Sequence, residues 1–231
     1  MNMLNPKKIT GVFFSVFLIF ISYCSDVFPG SAVDGVLEKI VENHKKYSGG
    51  LSVPYEREIL SRSMALLDED MKSDRASGIF YFRKPDCLRV HQEKPDEEFI
   101  IYNSKNMWFY VPAEEVVYQY PGETLGKELN VLCDMFMGFK NPDDDFNVTV
   151  TGPAKENAYQ VNLTPREEGG EIDHISIAVS ADDFKIKKVE LYDIAGSIRR
   201  FILGDFRIEK DLNDDLFNFT PPEGVEVIIE Q

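Results

Sequence analysis

From residue 51 onward, apolar and polar positions alternate over short runs separated by Gly, Pro, Asn and Asp. The pattern predicts strands over 51–67 (one long strand or a bent pair), 76–84, 87–92, 98–103, 107–111 and 116–120. It continues with strands over 146–151, 158–164, 172–180, 185–193, 197–208 and 225–229. Runs of this length with a turn signal between each are the signature of an all-antiparallel sheet, and the absence of a strand–helix rhythm argues against a doubly wound nucleotide fold. Two stretches carry the helical period instead. Val36, Leu37, Ile40, Val41 and His44 recur at three- and four-residue spacing over 34–46, where Asp34 is placed to cap the start and Gly49-Gly50 to end the helix. Over 123–140, Leu125, Leu129, Leu132, Met135, Phe136 and Phe139 form a second and greasier stripe, broken by the polar run after Asn141.

The first 32 residues follow another pattern. Lys7-Lys8 precedes an apolar run over 9–23, and Gly30-Ser31-Ala32 supplies small residues after it. This basic, apolar, small-residue order is that of a secretory signal, and the run is shorter than the ~20 residues of a membrane span. The expected division is therefore a signal peptide over 1–32 and a single domain over 33–231, the competing reading being an uncleaved anchor. Cys24 follows the apolar run as a lipidation site would, but bulky Tyr23 sits where that pattern wants a small residue, which favours cleavage after Ala32. Cys87 and Cys133 remain, as a pair or as two free thiols; sequence does not decide between them.

The chain of 231 residues carries 25 basic and 40 acidic side chains, for a net charge of -15. Removal of 1–32 takes away Lys7, Lys8 and Asp26, a net of +1, and leaves -16. Such a balance excludes a general nucleic-acid binder, whose affinity comes from displacing counterions, and disfavours adsorption to anionic bilayers. The 3 histidines, His44, His91 and His174, lie far apart without ligand spacing. No nucleophile elbow, phosphate loop or dinucleotide fingerprint occurs. Neither a catalytic group nor a metal or cofactor site is expected. Asp143-Asp144-Asp145 lacks the spacing of a calcium loop and reads as a turn.

What the chain has in excess is apolar side chains on both faces of its strands. Ile79-Phe80-Tyr81-Phe82 places two large groups on each face, and Met107-Trp108-Phe109-Tyr110-Val111 contains no charge. Antiparallel sheets usually leave one face wet. Either both faces are buried as ordinary core, or one lines a greasy cavity covered by the 123–140 helix.

Several motifs, in one order along nearly the whole of 33–231, resemble those of the bacterial lipoprotein-carrier family (LolA and its relatives). Gly78-Ile79-Phe80-Tyr81-Phe82-Arg83-Lys84-Pro85 is similar to that family's Gly-x-aromatic strand ending in Arg-Pro. Pro95-Asp96-Glu97 together with Ile100 to Pro112 resembles its central hairpin, Leu163-Thr164-Pro165 its mid-chain motif, and Phe217-Asn218-Phe219-Thr220-Pro221-Pro222-Glu223-Gly224-Val225 its C-terminal one. The resemblance implies an α+β fold: a strongly curved, unclosed antiparallel sheet, a half-barrel with helices covering its concave face as a lid. It implies a periplasmic, monomeric, non-enzymatic carrier of acylated lipoproteins, loaded by an inner-membrane ABC transporter and emptied onto an outer-membrane acceptor. On this reading Leu88, Trp108, Tyr110, Leu125, Leu129, Leu132, Met135, Phe136 and Phe139 are the cavity and lid contacts. Lys84 is the lid latch, standing where the family has an arginine; lysine lacks the planar fork, and Arg83 points to the other face. The rival readings are an outer-membrane acceptor or an envelope-stress regulator of the same fold and, less well supported, a secreted hydrolase with dispersed carboxylates.

Overall fold

A computed structural model describes residues 30–46, 49–61, 73–83, 87–122, 145–153, 157–167, 169–210 and 212–230. Helix α1 spans Gly30–Lys45. It is followed by strands β1 (Leu51–Leu60), β2 (Ser73–Arg83), β3 (Cys87–Lys94), β4 (Glu98–Tyr102), β5 (Asn106–Val111) and β6 (Val116–Pro121). Then come β7 (Phe146–Thr151), β8 (Ala158–Pro165), β9 (Ile172–Ser180), β10 (Ile186–Asp193), β11 (Ile198–Leu203), the two-residue β12 (Arg207–Ile208) and β13 (Glu226–Ile229).

The strands form one sheet in the order β13-β6-β5-β4-β3-β2-β1-β11-β10-β9-β8-β7, with β12 pairing β1 beside β11. Two meanders meet at a single seam: β1 to β6 step outward in chain order, β7 to β11 step inward, and β1 pairs β11 antiparallel. The outermost strands, β13 and β7, are not paired to each other, so among the described residues the sheet is open.

Three features depart from the sequence pattern. The sheet is not wholly antiparallel: β13 runs parallel to β6, from Glu226 opposite Val116 to Ile229 opposite Gln119. A parallel pair cannot be closed by a hairpin; here β7 to β12 lie between β6 and β13 in the chain, and residues 212–225 are the last stretch before β13. The single strand expected over 197–208 divides, because Pro54 has no N–H to offer β11 and one extra residue enters opposite it. Tyr55 faces Leu203 whereas Ser52 faces Arg207, and the Gly204 N–H donates to Pro54 O across the bulge at 2.8 Å. Helix α1 begins at Gly30, so Asp34 lies inside it rather than at its cap; Ser31-Ala32-Val33 contains no breaker to delay the start.

The expected lid of helices is not seen: α1 is the one α-helix among the described residues. The second expected helix, 123–140, and the end of the 51–67 strand beyond residue 61 lie outside them.

Helix α1 packs as its stripe predicts. Val36, Leu37 and Ile40 join a buried cluster with Leu51, Val53 and Tyr55 of β1, Phe82, Leu88, and residues of β7 to β11. His44 closes the stripe, its ring edge-on to Phe206 at 5.2 Å. Asn43 donates to Asp183 O at 2.7 Å and the Lys39 ammonium lies 5.0 Å from the Phe184 ring, fixing the helix over the β9–β10 turn.

Gly78 shows why a glycine stands in β2. A bulge there lets Ser77 face Lys94 and Gly78 face Gln92. A Cβ at Gly78 would overlap the His91 carbonyl oxygen and lie 2.8 Å from Gln92 Cα.

Candidate functional site

Pairing register assigns every strand side chain to a face, because directly opposed residues lie on the same side. Beginning from buried Leu51, Val53 and Tyr55, the face beneath α1 runs one way through Phe82 and Phe80 (β2), Leu88 and Val90 (β3), Tyr102 and Ile100 (β4), Met107 and Phe109 (β5) and Tyr120 and Tyr118 (β6). The other way it runs through Leu203 and Phe201, Val189 and Leu191, Ile177 and Ile175, Val161 and Leu163, to Val150 and Val148. This helix face is thus apolar through the middle of every strand from β6 to β7. Its aromatic centre is tight: Tyr55 stacks on Phe80 at 4.2 Å, Phe80 lies 5.9 Å from both Phe82 and Phe201, and burial pushes the Tyr55 hydroxyl up to about 12.

Cover over this face is uneven. On β1 and β7–β10 most of its side chains are buried. On the β2–β6 side Phe80, Val90, Ile100, Tyr102, Met107, Phe109, Tyr118 and Tyr120 are only half-buried. Phe109 and Tyr118 stack on each other at 6.1 Å.

The back face differs between its two halves. Over β8 to β2 it is polar. Gln160 donates to Ser176, which donates to Asn162; Arg200 donates to Glu190 at 2.7 Å and to Glu58 at 2.8 Å; Arg75 donates to Glu58 at 3.2 Å. Burial opposes ionisation of Glu190, but the bonds from Arg200 and Lys188 prevail and hold its carboxyl below the usual range. A groove of about 530 Å³ here is lined chiefly by charged side chains, among them Glu56, Glu58, Arg75, Lys94 and Arg200. That lining is unsuited to an apolar ligand.

Over β4 to β6 the back face is apolar and already occupied. Ile101, Trp108 and Val117 form a second small core, against which Phe99, Tyr110, Phe219 and Val225 pack. Phe219 lies 6.2 Å from the Trp108 ring and 5.4 Å from that of Tyr110. The strap that carries Phe219 is pinned from β2 and β3. Arg83 binds Asp214, donates to Leu212 O at 3.2 Å and lies 4.6 Å from the ring of fully buried Phe217. Arg89 donates to Leu216 O at 3.0 Å, and burial lowers its affinity for the proton.

The residues picked out in the sequence therefore separate. Leu88 is on the helix face. Trp108 and Tyr110 are on the back face against Phe219, and their neighbours Met107 and Phe109 point to the helix face. Leu125, Leu129, Leu132, Met135, Phe136, Phe139 and Lys84 lie outside the described residues. Arg83 does point away from the helix face and holds the strap. Cys87 carries a free thiol, 3.8 Å from Arg83 Nη2. The half-buried set Val90, Ile100, Met107, Phe109, Tyr118 and Tyr120 escaped sequence reasoning; its signal was the phase of the β4–β5 pairing, which needs the register.

Comparison with known proteins gives this sheet a family. The model of the outer membrane lipoprotein carrier protein LolA matches residues 65–220. An outer-membrane lipoprotein carrier protein of Methylococcus capsulatus is 30% identical over 163 residues, 70% of this chain and 76% of that one. The chain belongs to the LolA family. Another of its carriers, from Nitrosospira multiformis, is 24% identical over 218 residues, 94% of this chain and 97% of its own. In structure, an uncharacterized conserved protein of Thermus thermophilus aligns over 86% of this chain and 99% of its own, with a TM-score of 0.54 at 12% identity, a likeness of fold alone. Within the LolA-family chain, the glycine of the Gly-x-aromatic motif is the Gly78 of the bulge, and the C-terminal motif is the strap that packs on Trp108.

Proposed function

We propose that this protein is a non-enzymatic periplasmic carrier that holds the acyl chains of lipoproteins against the helix face of its sheet and shuttles them between membranes. The observation that carries the reading is the continuous apolar helix face, half-covered from β2 to β6, in a member of a family of lipoprotein carriers. Val90, Ile100, Met107, Phe109, Tyr118 and Tyr120 are its contacts, while Leu88 on the same face belongs to the buried cluster. Moving acyl carbons out of water is worth ~0.8 kcal/mol per CH₂, on the order of 10 kcal/mol for one chain, so transit through water needs apolar cover of comparable extent.

Connectivity supports a lid over the same face. Gly122 follows β6 near one edge of the sheet, and Asp145 precedes β7 at the other. Ten inter-strand steps of ~4.8 Å make roughly 48 Å across a flat sheet. A helical 123–140 at ~1.5 Å per residue covers only about 27 Å, so a curled sheet, the half-barrel, fits such a lid best. Its Leu125, Leu129, Leu132, Met135, Phe136 and Phe139 match the apolar helix face, whereas the back face is polar or already filled. Lys84, next to the strap-bound Arg83, is the proposed latch. Export by cleavage after Ala32, loading by an inner-membrane ABC transporter and delivery to an outer-membrane acceptor complete the reading.

The test is to incubate the purified protein with spheroplasts and analyse the soluble fraction. Lipoproteins are expected there as complexes with the protein. If none appears and no hydrophobic probe is displaced from the protein, the carrier reading fails.

A further inference from the structure

The outer edge of β13 is left open in an unusual way. The Glu226 N–H donates to Glu115 O and the Glu230 N–H to Gln119 O, each at 2.9 Å. Backbone groups alternate in direction along a strand, so Val227 and Ile229 turn theirs outward. No other described strand pairs with them. Their side chains, on the back-face side, are 42% and 70% exposed.

Natural edges of this kind are blunted against self-pairing, and charge is one device. Here all the charge has one sign. Residues 106–121 and 212–230 contain 7 acidic side chains and no Lys, Arg or His. Asp214 is held by Arg83, and Asp215 lies beside it in the strap. Glu114, Glu115, Glu223, Glu226 and Glu230 are exposed around the edge, and none forms an ion pair among the described residues. Two copies meeting edge to edge would bring two such sets together, which disfavours a dimer through β13. A cationic partner would meet Glu226 and Glu230 at the two ends of the four-residue β13, with Glu115 beside Glu226 and Glu114 and Glu223 close in sequence to that end.

We propose that β13 is a docking edge for an extended basic segment of a partner protein, which adds as a further strand. Its backbone pairs with Val227 and Ile229. Its apolar side chains lie over those two residues, and alternate Lys or Arg side chains meet Glu226 and Glu230 on the opposite face. The proposal goes beyond acyl-chain carriage and stands or falls separately from it.

A fluorescent six-residue peptide alternating Lys and Val, titrated by anisotropy against the purified protein, tests it. Controls are the Glu/Val counterpart and a Lys/Val peptide N-methylated at alternate residues. The Lys/Val peptide should bind, slow amide exchange at Val227 and Ile229, and lose affinity as salt rises. The exposed double change Glu226→Lys/Glu230→Lys should weaken it at least tenfold. Ile229→Pro removes one outward N–H but no bond to β6 and should abolish binding, with circular dichroism and acyl-probe binding unchanged. The proposal is overturned by failure of the Lys/Val peptide to bind, or by equal binding of the Glu/Val peptide. Full affinity of the N-methylated peptide or of Ile229→Pro, meaning mere charge adsorption, overturns it too. So does a concentration-dependent dimer that Ile229→Pro dissolves, since the edge would then serve a second copy.

Discussion

Phe109 and Tyr110 are adjacent in β5 but serve opposite faces, and substituting each by Asp separates cargo contact from core. Phe109 is half-buried on the helix face and packs on Tyr118 at 6.1 Å. A bound acyl chain would cover its remaining ring surface, worth ~1 kcal/mol as about half of a full Phe burial. A carboxylate held against that chain costs ~1–3 kcal/mol more. Phe109→Asp should therefore weaken an acyl-chain probe by ~2–4 kcal/mol, roughly 30- to 1,000-fold in Kd. Tyr110 instead lies 5.4 Å from Phe219 and 6.0 Å from Phe99. Tyr110→Asp gives up two aromatic contacts of ~0.5–1.5 kcal/mol each and should cost about 1–3 kcal/mol of stability. It should leave probe affinity per folded molecule within about threefold, well under 1.4 kcal/mol. Fluorescence titration with a fatty-acid probe reads the first quantity and the urea midpoint the second. Equal loss of probe affinity in both variants, or normal affinity in Phe109→Asp, would refute the assignment of faces.

Three other outcomes follow from the described packing. Arg200→Leu should destabilise more than Glu190→Leu, about 3 against 2 kcal/mol by urea unfolding, because it leaves buried Glu190 with Lys188 alone, whereas loss of Glu190 leaves Arg200 its bond to Glu58; the reverse order would show that the network is not what stabilises the seam. Gly78→Val should unfold at markedly lower urea than wild type, since the Cβ must displace the His91 carbonyl, and a Tm within a degree of wild type would contradict that. Burial acts to raise the Asp183 carboxyl, but its Lys185 and Ser180 bonds win and bring it from 3.8 to about 2. Its folded value is depressed, so its contribution is full above the unfolded value and is lost as pH falls through about 4 toward 2. The stability gap between wild type and Asp183→Asn should be constant above pH ~5 and shrink below pH ~4; a gap that widens on acidification would refute the sign.

Most strand positions were legible because each run of alternating residues ends at a turn residue that the fold uses, as at Pro95, Gly122 and Gly196. The phase of β5 was not: Met-Trp-Phe-Tyr-Val has no polar residue to mark a wet face, and a one-residue slip exchanges the faces. Only the opposition of Ile101 and Trp108, with Phe219 above them, settles it. The strap contacts were equally hidden, since Arg83 meets a residue 131 positions away. The parallel return of β13 has no local signal either, because its four residues read the same in both directions of pairing.

The seam between β1 and β11 bears on how the chain folds. Every other antiparallel pair of the main strand order joins neighbours in sequence, so each half can assemble from local turns. The seam ties residues such as Glu58 and Arg200, 142 positions apart. Closing a loop of that length costs about 3 kcal/mol more than closing a short hairpin. The two halves can thus form from neighbouring strands, and their joining, under α1 and across the charged network on the back, is the antiparallel pairing that bears the long-loop cost.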